Sequence, residues 1–240
     1  MDSAQRLGWL GDNIEFFESL LVEDLSRLVP TCPGWTILDL LKHLSFGLGV
    51  CYPIAAKTPP VTSTESVFAD ADRSCVSLEG SEAADAFRVN MRTCHAALSS
   101  TDPDASCWTY AGPGTASFWI RRAAAETTIH RFDAERALGQ ASVLSPDRAG
   151  DGIDEALEFA LPFASSKIGA PSSVLCLEAT DSPLRCSIGS DGHAVTLAGD
   201  SYSLLLRLWG RDPIDEIRIE GAESAADEWL TLISRAFAGR

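Results

Sequence analysis

The sequence predicts an α+β protein, with a four-helix bundle over residues 1–164 followed by a small α+β domain over residues 165–240. Two observations carry that expectation. Through the first two thirds of the chain, apolar residues recur every three or four positions, the period of helices that bury one face. In the last third, short apolar runs alternate with turn residues, the pattern of strands mixed with helices. A chain of 240 residues can form one large domain or two small ones, and the change of period argues for two.

The elements follow in order. Leu7, Leu10, Ile14, Phe17 and Leu21 align on one face of a first helix over residues 3–21. Pro33-Gly34 punctuates the chain, and Thr36 with Asp39 forms a T-x-x-D capping arrangement ahead of a second helix, apolar around almost its whole circumference. That helix should stop before a turn at 57–60, and a polar stretch over 61–80 leads to a third helix at 82–98. Asp102-Pro103-Asp104 and Gly112-Pro113-Gly114 lead into a fourth helix over 116–138, which Gly139 terminates. Four helices of this length, with one or two long connections, make a bundle. A further helical stretch over 147–163 closes the first domain. Beyond it, 173–179, 184–188 and 194–197 read as strands joined by turns at Asp181-Ser182-Pro183 and Asp191-Gly192. A helix over 202–209, a strand over 216–220 and a closing helix over 223–237 complete the chain.

Composition excludes several function classes. A net charge of -15 repels phosphate backbones and anionic bilayers, so nucleic acid and membrane are not expected partners. No run approaches the roughly 18 consecutive apolar residues of a membrane helix. The start, Met1-Asp2-Ser3-Ala4-Gln5-Arg6, lacks the basic and apolar regions of a signal peptide, so a cytoplasmic location is expected. Seven cysteines, widely spaced and without a C-x-x-C, fit reduced thiols rather than a disulfide framework or a thiolate zinc cluster. Nothing in the spacing marks one of them as a nucleophile. There is no G-x-S-x-G, no P-loop and no dinucleotide fingerprint.

The chemistry concentrates on the fourth helix. Glu126 and His130 form E-x-x-x-H, and residues four apart on a helix have Cβ atoms roughly 5–6 Å from each other, so both side chains can close on one ion. At 100° per residue, Trp119, Arg122, Glu126, His130, Asp133 and Ala137 share one sector of about 80°. The competing reading is a solvated face held by pairs such as Arg122 with Glu126. Apolar residues at both ends of the sector, Trp119 and Ala137, weigh against it. A third ligand is then needed, and His43 on the second helix is the best candidate. Its competing reading is a buried histidine bonded to a carbonyl, but it shares its sector with Asp39, Phe46, Gly47 and Val50. Two histidines and a carboxylate with open positions are the ligand set of catalytic zinc and of non-haem iron. Asp39, one turn before His43, could hold its far ring nitrogen, and Asp133 could do the same for His130. His95 and His193 read as ordinary histidines. Arg207 and Arg211 could neutralise a substrate carboxylate or could pair with Asp212, Asp215 or Glu216.

These residues resemble the mycothiol-dependent maleylpyruvate isomerase family, whose metal-binding N-terminal domain has a DinB-like four-helix-bundle fold. The matching pieces are Cys32-Pro-Gly-Trp-Thr36 with Asp39-Leu-Leu-Lys-His43-Leu44, then Trp119-Ile-Arg-Arg122 with Glu126-Thr-Thr-Ile-His130-Arg-Phe-Asp133-Ala-Glu135, and Leu206-Arg-Leu-Trp-Gly-Arg211. They occur in the family's order over nearly the whole chain. The resemblance implies that His43, Glu126 and His130 bind a divalent metal, usually zinc, and that the arginine-bearing second domain helps complete the site. It also implies mycothiol as a low-molecular-weight thiol cofactor, with its thiolate adding to an electrophilic unsaturated acid, rotation, and elimination to the trans product. Arg211, or in its place Arg207, would hold the substrate carboxylate. A mycothiol S-transferase, a non-catalytic metal-binding or regulatory protein and a non-haem iron enzyme remain open alternatives on the same ligands.

Overall fold

The computed structural model describes residues 1–57, 66, 67, 69, 71–189 and 192–237, the side chains of 236 and 237 excepted. The chain divides into two compact units, Met1–Ala141 and Ser142–Arg240.

The first unit is helical. Helix α1 (Ser3–Ser19) begins at Asp2, whose side chain accepts from the Gln5 backbone while Gln5 reaches back, a reciprocal cap. Helix α2 (Ile37–Ala55) begins with the expected Thr36–Asp39 capping box. Its length and mean hydropathy of 1.2 match a membrane span by composition. Ile37, Leu40, Leu41, Leu44 and Leu48 instead enter the bundle core. Its turns widen to a π-helix over Ser45–Cys51. There Gly49 lets the next helix close in, since a Cβ would meet that of Asn90 at 2.7 Å. A short helix, Ser74–Ser77, precedes α3 (Gly80–Ser100). The last long helix of the unit, α4 (Ala116–Ala137), ends as expected: Gly139 takes φ 68° and Gln140 N–H donates to Glu135 O at 2.9 Å.

α4 packs on α1 and α2, and α3 packs on the same two helices. Leu10, Phe17, Leu40, Leu44, Phe87, Met91 and Trp119 form the shared core, each burial stabilising by about 1.5–3 kcal/mol. Between α3 and α4 the sequence suggested only connecting turns. The chain forms a hairpin there, β1 (Ser106–Thr109) against β2 (Gly112–Thr115), with Trp108 opposite Pro113. Gly-Pro-Gly has little strand propensity, so pairing with Cys107 and Trp108 decides it.

The second unit carries the expected strands. Helix α5 over residues 146–168 starts at the Ser145 cap. A four-stranded sheet follows in the order β4-β3-β5-β6, where β3 is Val174–Ala179, β4 Arg185–Ile188, β5 Ala194–Gly199 and β6 Arg218–Gly221. β3 and β5 run parallel with Leu175 opposite Val195, and the outer pairs are antiparallel. Helices α6 (Ser201–Leu208) and α7 (Glu223–Phe237) pack against this sheet.

The domain boundary differs from the expected one at 164/165: it falls at 141/142, and α5 belongs to the second unit. The reason is a close seat on α6, where a Cβ on Gly152 would meet Leu205 at 3.0 Å. The expected turn at 57–60 continues past the described residues, as does most of the polar stretch before 71, and Asp191 of the third turn also lies outside them.

Candidate metal centre

Two helices and one turn build the site. His43 lies in the last turn of the regular part of α2, just before its π-helical stretch. Glu126 and His130 lie one turn apart in the middle of α4. The Val29–Trp35 turn brings in Cys32 and Trp35: Val29 N–H donates to Trp35 O at 2.9 Å and Trp35 N–H to Cys32 O at 3.0 Å, with Gly34 at φ 84°.

The structure brings His43, Glu126 and His130 together. One ligand atom from each lies within 4.8 Å of the others. Glu126 Oε1 is 3.4 Å from His43 Nε2 and 3.5 Å from His130 Nε2. The other carboxylate oxygen, Oε2, accepts from Arg122 Nη2, so this oxygen is taken and Oε1 is left facing the two imidazoles. The rings meet at 4.9 Å between centroids, and Trp35 lies against both, 5.1 Å from His43 and 6.5 Å, stacked, from His130.

The electrostatics suit an anionic ligand. Burial alone would raise the pKa of Glu126, but the Arg122 guanidinium, with His130 and His43, outweighs it and holds the carboxyl well below the usual range. Burial would likewise lower His130, yet its hydrogen bonds to Asp133, Cys32 and Glu126 carry it well above the usual imidazole value. His130 Nδ1 is 2.9 Å from Asp133 Oδ2, so Asp133 takes the place the sequence offered it. Asp39 does not do this for His43. Its carboxylate accepts from Thr36 N–H and Oγ1–H at 2.8 and 2.7 Å, because a helix N-terminus leaves backbone donors that a side chain three residues on satisfies. Beside Arg122, burial pushes the Tyr110 phenol up to about 12, so it stays protonated.

Arg207 and Arg211 belong to the second unit. Arg211 is 2% exposed, and its guanidinium donates to Trp209 O at 2.8 Å. Arg211 is therefore a buried residue and not a surface one. Arg207 is half-buried on α6. His95 is ordinary, as expected: its Nε2 is 3.1 Å from Leu7 O.

Sequence reasoning missed Cys32 and the anchoring role of Arg122. Cys32 Sγ donates to Asp133 Oδ2 at 3.4 Å from 101 residues away, and no spacing rule reaches that far. Its one signal was membership of the Cys-Pro-Gly-Trp segment. Arg122 had been seen in the right sector but weighed only as a surface partner of Glu126.

The family model described as mycothiol maleylpyruvate isomerase N-terminal domain matches residues 12–135. Two crystal structures share the fold, that of the mycothiol-dependent maleylpyruvate isomerase and that of a mutant of it with one histidine replaced by alanine. Each superposes with a TM-score of 0.66 over 92% of this chain and 93% of the other, at 16% and 17% identity respectively. At that identity the likeness is one of fold. No curated protein matches the chain in sequence.

Proposed function

Because the chain belongs to the mycothiol maleylpyruvate isomerase N-terminal domain family, we propose that it is a divalent-metal enzyme, with zinc the first choice of ion. It uses mycothiol as thiol cofactor and converts a small, electrophilic unsaturated acid from cis to trans. The observation that carries this reading is the convergence of His43, Glu126 and His130 within 4.8 Å. Two imidazole nitrogens and one carboxylate oxygen are the donor set of catalytic zinc, with positions left for another ligand.

His43 and His130 would hold the ion through Nε2 and Glu126 through Oε1, the atoms that face one another. Arg122 keeps Glu126 ionised and turns Oε1 inward. Trp35 covers one side of both imidazoles and limits their contact with water. When bound, zinc would lower the pKa of a thiol beside it; the mycothiol thiolate could then add to the substrate double bond, and the single bond left by addition would rotate before the same thiolate is expelled and the double bond re-forms. A guanidinium fork suits the substrate carboxylate, and we assign that role to Arg211 first and to Arg207 second.

Elemental analysis of protein purified without affinity tag or chelator, beside Glu126→Ala, tests the metal. Stoichiometric zinc in the wild type and its loss in the variant is expected. Iron would redirect the chemistry to oxidation, and no metal after reconstitution would sink the reading. Product mass then tests the reaction: isomerisation conserves substrate mass, whereas S-transfer adds the mass of mycothiol.

A further inference from the structure

We infer that Asp133 and Cys32 are positioning residues for the candidate centre, Asp133 fixing the tautomer and direction of His130 and Cys32 fixing Asp133. The inference rests on the metal reading above and extends it to two residues that would not touch the ion.

The argument begins with proton inventory. A neutral imidazole has one N–H, and an ionised carboxylate only accepts. At 2.9 Å from Asp133 Oδ2, Nδ1 keeps the one hydrogen of the neutral His130 ring, so the lone pair that ring offers an ion is that of Nε2. Nε2 points to the other side of the ring, 3.5 Å from Glu126 Oε1. His130 is 3% and Asp133 0% exposed, so water does not compete for either. A carboxylate on the far nitrogen also makes an imidazole a stronger donor to a metal.

Asp133 stands three residues after His130, and a side chain so placed has more than one rotamer available. Cys32 removes that freedom. Its thiol donates to the same Oδ2 at 3.4 Å, held there by a turn closed by the Val29–Trp35 and Trp35–Cys32 backbone bonds. A thiol is a weak donor, so it orients the carboxylate without drawing off the charge that His130 uses. The three donors Cys32, His130 and Asp133 also lie within 4.8 Å of one another. An ion among them would have to take Nδ1, whereas the 2.9 and 3.4 Å separations are those of hydrogen bonds.

The test uses the full chain loaded with zinc. Long-range proton–nitrogen NMR should show His130 protonated at Nδ1 and coordinated through Nε2. Chelator competition should show zinc bound about 10- to 100-fold more weakly by Asp133→Asn. Cys32→Ala should weaken it by less, with Cys32→Ser recovering part of the loss. Coordination through Nδ1 would overturn the proposal, and so would wild-type zinc affinity in folded Asp133→Asn. If Asp133→Asn does not fold, the wild-type tautomer and the two cysteine variants decide: unchanged affinity in Cys32→Ala removes Cys32 from the account. A wild type that takes up no zinc would instead bring down the metal reading, and this one with it.

Discussion

Two arginine–carboxylate pairs, each within one turn of a long helix, have opposite surroundings. Arg88 and Asp85 on α3 are 2.7 Å apart with side chains 41% and 72% exposed. Arg122 and Glu126 on α4 are paired with side chains 11% and 12% exposed. The first is worth about 0.2–1 kcal/mol at most. The second has lost most of its water, and breaking such a pair by removing one partner costs about 3–5 kcal/mol. The helices differ in the same way. α3 buries Ala83, Ala84, Phe87, Met91, Cys94 and Leu98, all apolar. α4 also buries Arg122, Thr127, Thr128, His130, Asp133 and Glu135. Even α1 answers α4 with a polar group, Asn13 Nδ2 donating to Thr127 Oγ1 at 2.9 Å. Apolar burial holds the bundle together; the charged interior of α4 costs desolvation, which the proposed ion would offset.

The comparison can be broken by two variants of similar size. Arg122→Ala should lower the stability of metal-free protein by about 3–5 kcal/mol. Zinc should stabilise this variant less than it stabilises wild type, because Glu126 is no longer held ionised with Oε1 turned inward. Phe87→Ala on α3 should cost about 3–5 kcal/mol through the cavity it leaves. Zinc should stabilise it as much as it stabilises wild type. Urea denaturation with and without zinc checks both. Equal zinc responses would mean that Arg122 does not serve the site.

The next effect is one of pH. His130 is raised in the metal-free site, so below its folded pKa an ion must displace a proton from it. Zinc affinity should therefore fall by roughly tenfold per pH unit below that pKa and level off above it. Calorimetry in two buffers of different ionisation enthalpy should show about one proton released. Metal-free stability has the complementary signature. The His130 contribution is fully present below its unfolded pKa of about 6.5 and is lost as pH rises through the higher folded value. The contribution of Glu126, whose folded pKa is depressed, is present above its unfolded value of about 4.3 and is lost as pH falls through the folded one.

The smallest effect belongs to the exposed pair. Arg88→Ala should change stability by less than about 0.5 kcal/mol and leave zinc binding alone. A larger loss would show that exposure does not separate the two pairs.

Much of this difference was legible in the sequence. Helical projection put Arg122, Glu126, His130 and Asp133 in one sector, and the apolar ends of that sector, Trp119 and Ala137, argued for burial. His43 stands out because Glu126 and His130 need a third ligand and it lies on a helix that is apolar around almost its whole circumference. The resemblance to the isomerase family, carried by Cys32-Pro-Gly-Trp and Glu126-x-x-x-His130, fits the family match over residues 12–135. Other features depend on contacts that no local rule encodes. Cys32 meets Asp133 across 101 residues. The hairpin at 106–115 forms on residues of poor strand propensity. Asp39 had two local roles open to it, and the cap at Thr36 took the carboxylate. The domain boundary moved because Gly152 lets α5 seat on Leu205, a fit that periodicity does not report.

X-ray absorption at the zinc edge, on full-length protein before and after addition of mycothiol, tests the central claim most directly. The account predicts only nitrogen and oxygen scatterers at about 2.0–2.2 Å before addition, and one sulfur at about 2.3 Å after it. Sulfur already present without mycothiol would place Cys32 on the ion, and no sulfur after saturation would mean that this centre does not activate the thiol.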